Sequence, residues 1–572
     1  MTATPSSPGW HEVDGDPLHR LYWDGTRWIA RARFSDGQWH QEPLPPSYPP
    51  SPPYPAAGHY QWPQIAAVPG TERQLSAGYE LRVGGGSNPP ADRDCSMLVA
   101  RSAAIAARRG RKRCALCWSA AGLTALVVTI GLLMTISSGS TSWDPRVLGI
   151  VHFVEQHRGL MFKHPVNVEF LDSAQFDKQV SVPQPTLKSD QTALNHALGE
   201  LRALGLVHGN VNLATAENTL TQADVVGLYV PTKKTVFVRG TALTPYVRTT
   251  LAHELTHALQ DQYFDLTRLK NSAKDGDETA VTALIEGDAV RIQNAYEQNL
   301  SPSDQRAYES EQAQIEKNTG QTGNVPEILS DILSFPYAFG PTFVDSLASQ
   351  GGNATVDHAF RDPPVAEAQI LDPVTYPLGW KPDRVAVPAI GAGHLLDKPS
   401  PFGQVSLFEV LGSRLGYETA WAAVQGWQGD NSVPYKDKGK TCMAIDVAMA
   451  SAASSARLAA AANQWAQGIP GAVVTHVGQQ VDLRSCDPGP TAPPPPVITP
   501  SSFDVLSARA EITDEIMTNA QVDFAMGQCV ADGVIAGVGP AGYGELTASS
   551  LSADQETQVG QLVASSIASC RA

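Results

Sequence analysis

The chain contains one His-Glu-x-x-His pentad, His253-Glu254-Leu255-Thr256-His257. Residues four apart share a face of an α-helix, so His253 and His257 can turn two imidazole nitrogens toward one metal ion. Glu254 stands beside them, where its carboxylate can take a proton from a metal-bound water. A catalytic zinc site needs a third protein ligand and an open position for water. Glu286, in Ala283-Leu-Ile-Glu-Gly-Asp-Ala289, is the downstream carboxylate best placed to be that ligand. Its neighbours three and four residues away are Thr282, Ala283, Ala289 and Val290. A carboxylate on such a face is costly unless it is paired or metal-bound. Glu278 and Asp288 are the alternative ligands. The readings without a metal are an ion pair between Glu286 and Arg291, and two core histidines satisfied by neighbouring carboxylates.

The elements that must position these groups are legible in the flanking sequence. Thr235-Val-Phe-Val-Arg-Gly240 predicts a short strand ending at glycine. Thr244 and Pro245 follow as an N-cap and first-turn pair. Val247, Leu251, Leu255, Ala258 and Leu259 recur at helical spacing, which predicts a helix from Tyr246 to about Tyr263. A second helical pattern, from about Gly276 to Leu300, carries Glu286. Gly287 beside it would let another backbone approach closely.

His-Glu-Leu-Thr-His-Ala-Leu-Gln-Asp-Gln (253–262), followed by Ile-Glu-Gly-Asp-Ala (285–289), resembles the gluzincin type of zinc metallopeptidase. More narrowly, it resembles bacterial membrane-anchored or secreted proteins of that type. The likeness runs from about Val147 to Cys486. It takes in Phe335-Pro-Tyr-Ala-Phe-Gly340, Asp362-Pro-Pro364, Gln369-Ile-Leu-Asp-Pro373 and Trp427-Gln-Gly-Asp430. The resemblance implies that His253, His257 and Glu286 hold Zn2+ and that Glu254 is the general base and acid. One position departs from the pattern. Thermolysin-like gluzincins carry an Asp four residues after the ligand Glu, where it orients a histidine; here that position is Val290. A metal-bound histidine usually donates its second N–H to a partner, and Asp288 and Asp261 are the candidates for that part. Tyr337 is the candidate for steadying a tetrahedral oxyanion.

The chain has 572 residues, 42% of them apolar and 17% charged, with a formal charge of −16. That composition is globular, and the acidity argues against nonspecific nucleic-acid binding. The expected class is α+β: a zincin-like metallopeptidase domain, mostly helical with a small sheet, and several appended modules.

Residues 1–40 predict a small tryptophan-rich β module, with Arg20-Leu-Tyr-Trp-Asp-Gly-Thr-Arg-Trp28 placing aromatics on strands around an Asp24-Gly25 turn. It resembles a tiny domain of unknown function found at the N-termini of bacterial membrane proteins. A cytoplasmic docking partner and a purely structural aromatic core are both open. Residues 41–113 read as a proline-rich and then basic linker. Residues 114–136 hold no charge and can span about 30 Å of hydrocarbon as a transmembrane helix. Arg108, Arg109, Arg111, Lys112 and Arg113 precede it, and almost no positive charge follows until Arg146. The positive-inside rule then predicts a single-pass protein of the cell membrane with a cytoplasmic N-terminus and an extracytoplasmic catalytic domain.

Beyond the span, residues 145–487 form the metallopeptidase-like domain, 488–502 a proline-rich linker, and 503–572 a small helical domain tied by a disulfide. Late in the larger domain, Val473 to Leu483 predicts a strand. Four cysteines lie outside the membrane, and nearest-neighbour pairing, Cys442 with Cys486 and Cys529 with Cys570, is the most economical of three pairings. The functional expectation is a zinc metallopeptidase acting on a peptide or protein substrate. The alternative is a catalytically inactive surface scaffold or binding module of the same fold.

Overall fold

The computed structural model describes residues 9–13, 16–23, 28–35, 38–42, 142–181, 188–272, 278–319, 325–546 and 553–571. At the N-terminus, β1 (Gly9–Val13), β2 (Asp16–Trp23), β3 (Trp28–Ser35) and β4 (Gln38–Glu42) form an antiparallel meander in sequence order. The segment 114–136 lies outside the described residues. Among those described, no helix is long and apolar enough to cross a membrane.

The next elements are α1 (Leu148–Arg158), β5 (Asn167–Leu171), α2 (Ser173–Val180), α3 (Lys188–Ala203), α4 (Leu213–Asp224), β6 (Gly227–Val230), β7 (Thr235–Arg239) and α5 (Pro245–Phe264). The three strands make a small sheet of order β5-β7-β6, with β5 parallel and β6 antiparallel to β7. Strand β6 is therefore an edge. Helix α5 starts where the sequence predicts: the Thr244 hydroxyl accepts from the Val247 N–H at 3.2 Å, and Pro245 occupies the first turn. It ends at Asp265, in the left-handed region with φ 54°. Leu251, Ala252, Leu255, Ala258 and Leu259 are buried in a core shared with α1 and the sheet.

Three more helices follow α6 (Leu266–Ser272): α7 (Glu278–Gln298), α8 (Pro302–Thr319) and α9 (Glu327–Gly351). The expected close approach at Gly287 is there. A Cβ on Gly287 would lie 2.2 Å from the Gly340 carbonyl oxygen, and one on Gly340 would lie 2.2 Å from the Ala283 carbonyl oxygen. Helices α7 and α9 thus cross backbone to backbone, immediately beside Glu286, which only glycine at both positions permits.

The remainder comprises α10 (Asn353–Arg361), α11 (Glu367–Leu371), β8 (His394–Leu395), α12 (Gln404–Leu415), α13 (Tyr417–Val424), β9 (Trp427–Asp437), β10 (Lys440–Met449), α14 (Ala452–Gln467), β11 (Val473–Val477) and β12 (Gln480–Cys486). A five-stranded sheet of order β11-β12-β10-β9-β8 results. The strand expected at Val473 to Leu483 is in fact a hairpin, turning at Gly478 with φ 62°. The Trp427-Gln-Gly-Asp430 stretch has a structural use. Asp430 accepts from the Phe402 N–H at 2.7 Å, the Gly403 N–H at 3.0 Å and Trp427 Nε1 at 2.9 Å. It fixes the loop before α12 onto β9.

Both expected disulfides form, Cys442–Cys486 across β10 and β12, and Cys529–Cys570. The second joins α16 (Phe524–Leu546) to α17 (Ala553–Arg571), which follow α15 (Ser502–Ala520). These last helices share the main core rather than standing apart. Phe503 packs edge-on to Phe339 at 5.9 Å between ring centroids, and the Thr342 hydroxyl donates to the Ala510 carbonyl at 3.2 Å. The whole is a mixed α+β structure, mostly helical with small sheets.

Candidate metal centre

Helices α5 and α7 bring three side chains to one point. His253 Nε2 and His257 Nε2 lie 2.9 Å apart, and Glu286 Oε2 is 3.2 Å from the first and 3.1 Å from the second. All three residues are buried. Among the described residues, this is the one group of three or more His, Cys, Asp or Glu side chains whose ligand atoms converge closely enough to hold a metal ion. A tetrahedral ion with bonds of about 2.0–2.1 Å needs its ligand atoms about 3.3 Å apart. The triangle matches that to within a few tenths of an ångström. Of the sequence-derived ligand candidates, Glu286 joins the histidines and Asp288 does not. Glu278 sits at the start of α7, outside the group. Arg291 pairs with Asp288 at 3.1 Å, so the ion pair considered for Glu286 is made by its neighbour.

Hydrogen bonding around His257 fixes which nitrogen carries its proton. Gln260 Nε2 donates to the Ile285 carbonyl at 3.1 Å and to Asp288 Oδ2 at 2.9 Å. Two acceptors there settle the amide's orientation, so Gln260 Oε1 faces His257 Nδ1, at 3.0 Å. The Nδ1–H donates to that oxygen, and in the neutral ring Nε2 is left with a lone pair aimed at the triangle. That is the form a metal ligand requires. The donor set, two imidazoles and one carboxylate, suits zinc.

The Glu286 carboxylate favours positive charge between the two imidazoles, whether a proton or a metal ion. Burial alone would lower the pKa of His257, but the Glu286 carboxylate beside it lifts it to about 9. Burial alone would raise Glu286, and the two histidines hold it instead far below the usual carboxylate range. Asp288 is held low against its burial by Arg158 and Arg291. Arg158, itself wholly buried, reaches Asp288 at 2.7 Å and Asp357 at 2.7 Å. A chain of contacts therefore runs from His257 through Gln260 and Asp288 to α1 and α10.

Sequence reasoning offered Asp288 and Asp261 as the groups that orient the histidines, and neither touches one. Asp288 acts one bond removed, through Gln260. Asp261 turns to the β6–β7 hairpin, accepting from the Tyr229 hydroxyl at 2.5 Å, Lys234 Nζ at 2.6 Å and the Leu266 N–H at 3.0 Å. His253 Nδ1 is buried with no hydrogen-bond partner among the described residues.

Glu254 is buried beside the triangle without belonging to it. Its Oε2 accepts from the Tyr229 N–H of the edge strand at 2.7 Å. Its methylenes lie over Gly227, where a Cβ would meet Glu254 Cγ at 3.1 Å and Thr250 Cγ2 at 2.8 Å. Tyr337, half-buried on α9, stacks near His253 with 6.2 Å between ring centroids. The structure thus gathers His253, Glu254, His257, Glu286 and Tyr337. Gln260, Arg158, Tyr229 and Gly227 were missed. Only Gln260 had a local signal, lying one turn after His257 within the quoted motif.

The chain matches no protein-family model, no curated protein and no solved structure.

Proposed function

We propose that the protein is a zinc metallopeptidase of the gluzincin type, anchored in the cell membrane by residues 114–136, with its catalytic domain outside. One observation carries the reading: two helices converge on a His-His-Glu triangle of zinc dimensions, with His257 Nε2 held as a lone-pair donor and an unligated carboxylate, Glu254, alongside. His253, His257 and Glu286 would hold the ion. When bound, zinc supplies a water with a pKa near about 7 and polarises the carbonyl to be cleaved.

The chain's own residues do the rest. Glu254 takes the proton of the attacking water and returns it to the departing amine. The Tyr229 N–H and the glycine floor at Gly227 hold its carboxylate in place. Gln260 keeps the proton of His257 on Nδ1. Tyr337, whose ring stacks near His253, would donate to the oxygen that gains charge. Strand β6 lies at the edge of its sheet and touches Glu254, which favours an extended peptide lying along the site as the substrate.

The alternative of a retired, non-cleaving scaffold is favoured by one feature, the unpartnered Nδ1 of His253. Metal analysis of the full-length protein, combined with turnover of a diverse peptide library with and without a chelator, tests the proposal. One zinc per chain and chelator-sensitive cleavage are expected. A protein that cleaves nothing, with or without zinc, would favour the scaffold, and a protein with no affinity for zinc would remove the peptidase reading.

A further inference from the structure

Away from the metal centre, a cavity of about 860 Å³ opens between the α3–α4 loop, α4, the first turns of α9, the middle of α12 and the proline-rich segment before α15. Its walls carry three carboxylates, Glu327 and Asp331 from α9 and Glu409 from α12. Glu409 is only 7% exposed, and its Oε1 is buried with no hydrogen-bond partner among the described residues. An unpaired buried carboxylate costs free energy. Burial, then Glu327 and Asp504 nearby, push its pKa up to about 8. No arginine or lysine lines the cavity.

The missing partner is a hydrogen-bond donor, and with Glu327 and Asp331 in the same wall a cationic donor fits best. A bare divalent ion needs several ligand atoms within one coordination sphere. Among the described residues only His253, His257 and Glu286 converge in that way, and Glu327, Asp331 and Glu409 do not form such a group of three. The volume also far exceeds that of one ion. An extended organic cation fits better. Glu409 would face its charged head, and Val207, Ile328 and Ile498 would cover an aliphatic stem. Asn210, Thr215 and Ser413 offer polar groups for flanking amides.

We propose that this cavity binds the basic side chain of a peptide, with arginine, whose planar fork can engage carboxylates in pairs, the better fit. The site is independent of the metal centre, because the claim concerns binding alone.

Isothermal titration of the full-length protein with Nα-acetyl-arginine methylamide, and with its citrulline counterpart of equal shape and no charge, tests it. The arginine ligand should bind about tenfold tighter or more. Glu409→Gln and Glu327→Gln should each remove most of that preference. Glu200→Gln, which changes a buried acid that does not line the cavity, should preserve it. Should Glu409→Gln fail to fold, Glu327→Gln decides. Equal affinity of the wild type for the two ligands, or a preference that survives in the cavity variants, would overturn the assignment.

Discussion

Gln260 Oε1 accepts the Nδ1 proton of His257 at 3.0 Å, and the amide cannot turn over because its nitrogen is held by the Ile285 carbonyl and Asp288. A neutral side chain thus does the orienting that a carboxylate usually does next to a metal-bound histidine. Asp288, anchored by Arg158, stands behind it.

Removing that acceptor should loosen the metal without unfolding the helix. Gln260→Leu keeps roughly the same volume but frees the Nδ1 proton to move to Nε2, where it blocks the lone pair. Metal affinity should fall about 10- to 100-fold. Competition with a chromophoric chelator measures this, and an unchanged affinity would show that the hydrogen bond has no part in setting the tautomer.

Gly227→Ala addresses Glu254 separately from the metal. The new methyl would press on Thr250 Cγ2 and Glu254 Cγ, both on side chains that can move, so the fold should survive. The carboxylate would shift while the His253-His257-Glu286 triangle stays intact. Turnover should drop by about tenfold or more with zinc content unchanged, since small misplacements of a reacting group are costly. Steady-state rates on metal-quantified protein decide the point.

Glu409 predicts a pH dependence of stability. Its folded pKa of about 8 lies above the ordinary 4.5, so the folded state binds more protons than the unfolded state between those values. Stability is then fullest below about pH 4.5 and declines as pH rises to about 8, with Glu327 and Asp504 as the charged neighbours. Glu409→Gln removes this term. The variant's gain over wild type should grow from pH 5 to pH 8 and then level off, on the order of 4 kcal/mol at most. Denaturant titrations across that range measure it, and a gain that shrinks with rising pH would contradict the burial described.

Much of the site could be read in advance because its signals are local. The pentad, the Thr244-Pro245 start and the apolar spacing of α5 all lie within about one helix, and Glu286 betrayed itself as an acid among small residues. The missed parts depend on distant pairing. Arg158 lies 130 residues from Asp288, and no periodicity links them. Tyr229 contributes a backbone N–H, which leaves no mark on residue type. Asp261 misled because it shares a helical spacing with His257, while Lys234 and Tyr229, reachable only in three dimensions, draw it to the hairpin. Strands β9 and β10 were not foreseen because most residues on both of their faces are buried, which erases the alternation that marks a half-exposed strand.

The central claim is that this metal triangle serves hydrolysis with Glu254 as the base. Turnover of a cleaved peptide by Glu254→Gln, measured on protein shown to carry its full zinc, tests it most directly. The account predicts one zinc per chain, an unchanged fold and a rate lower by about 10²–10⁴-fold. A zinc-loaded Glu254→Gln protein that cleaves as fast as the wild type would contradict it.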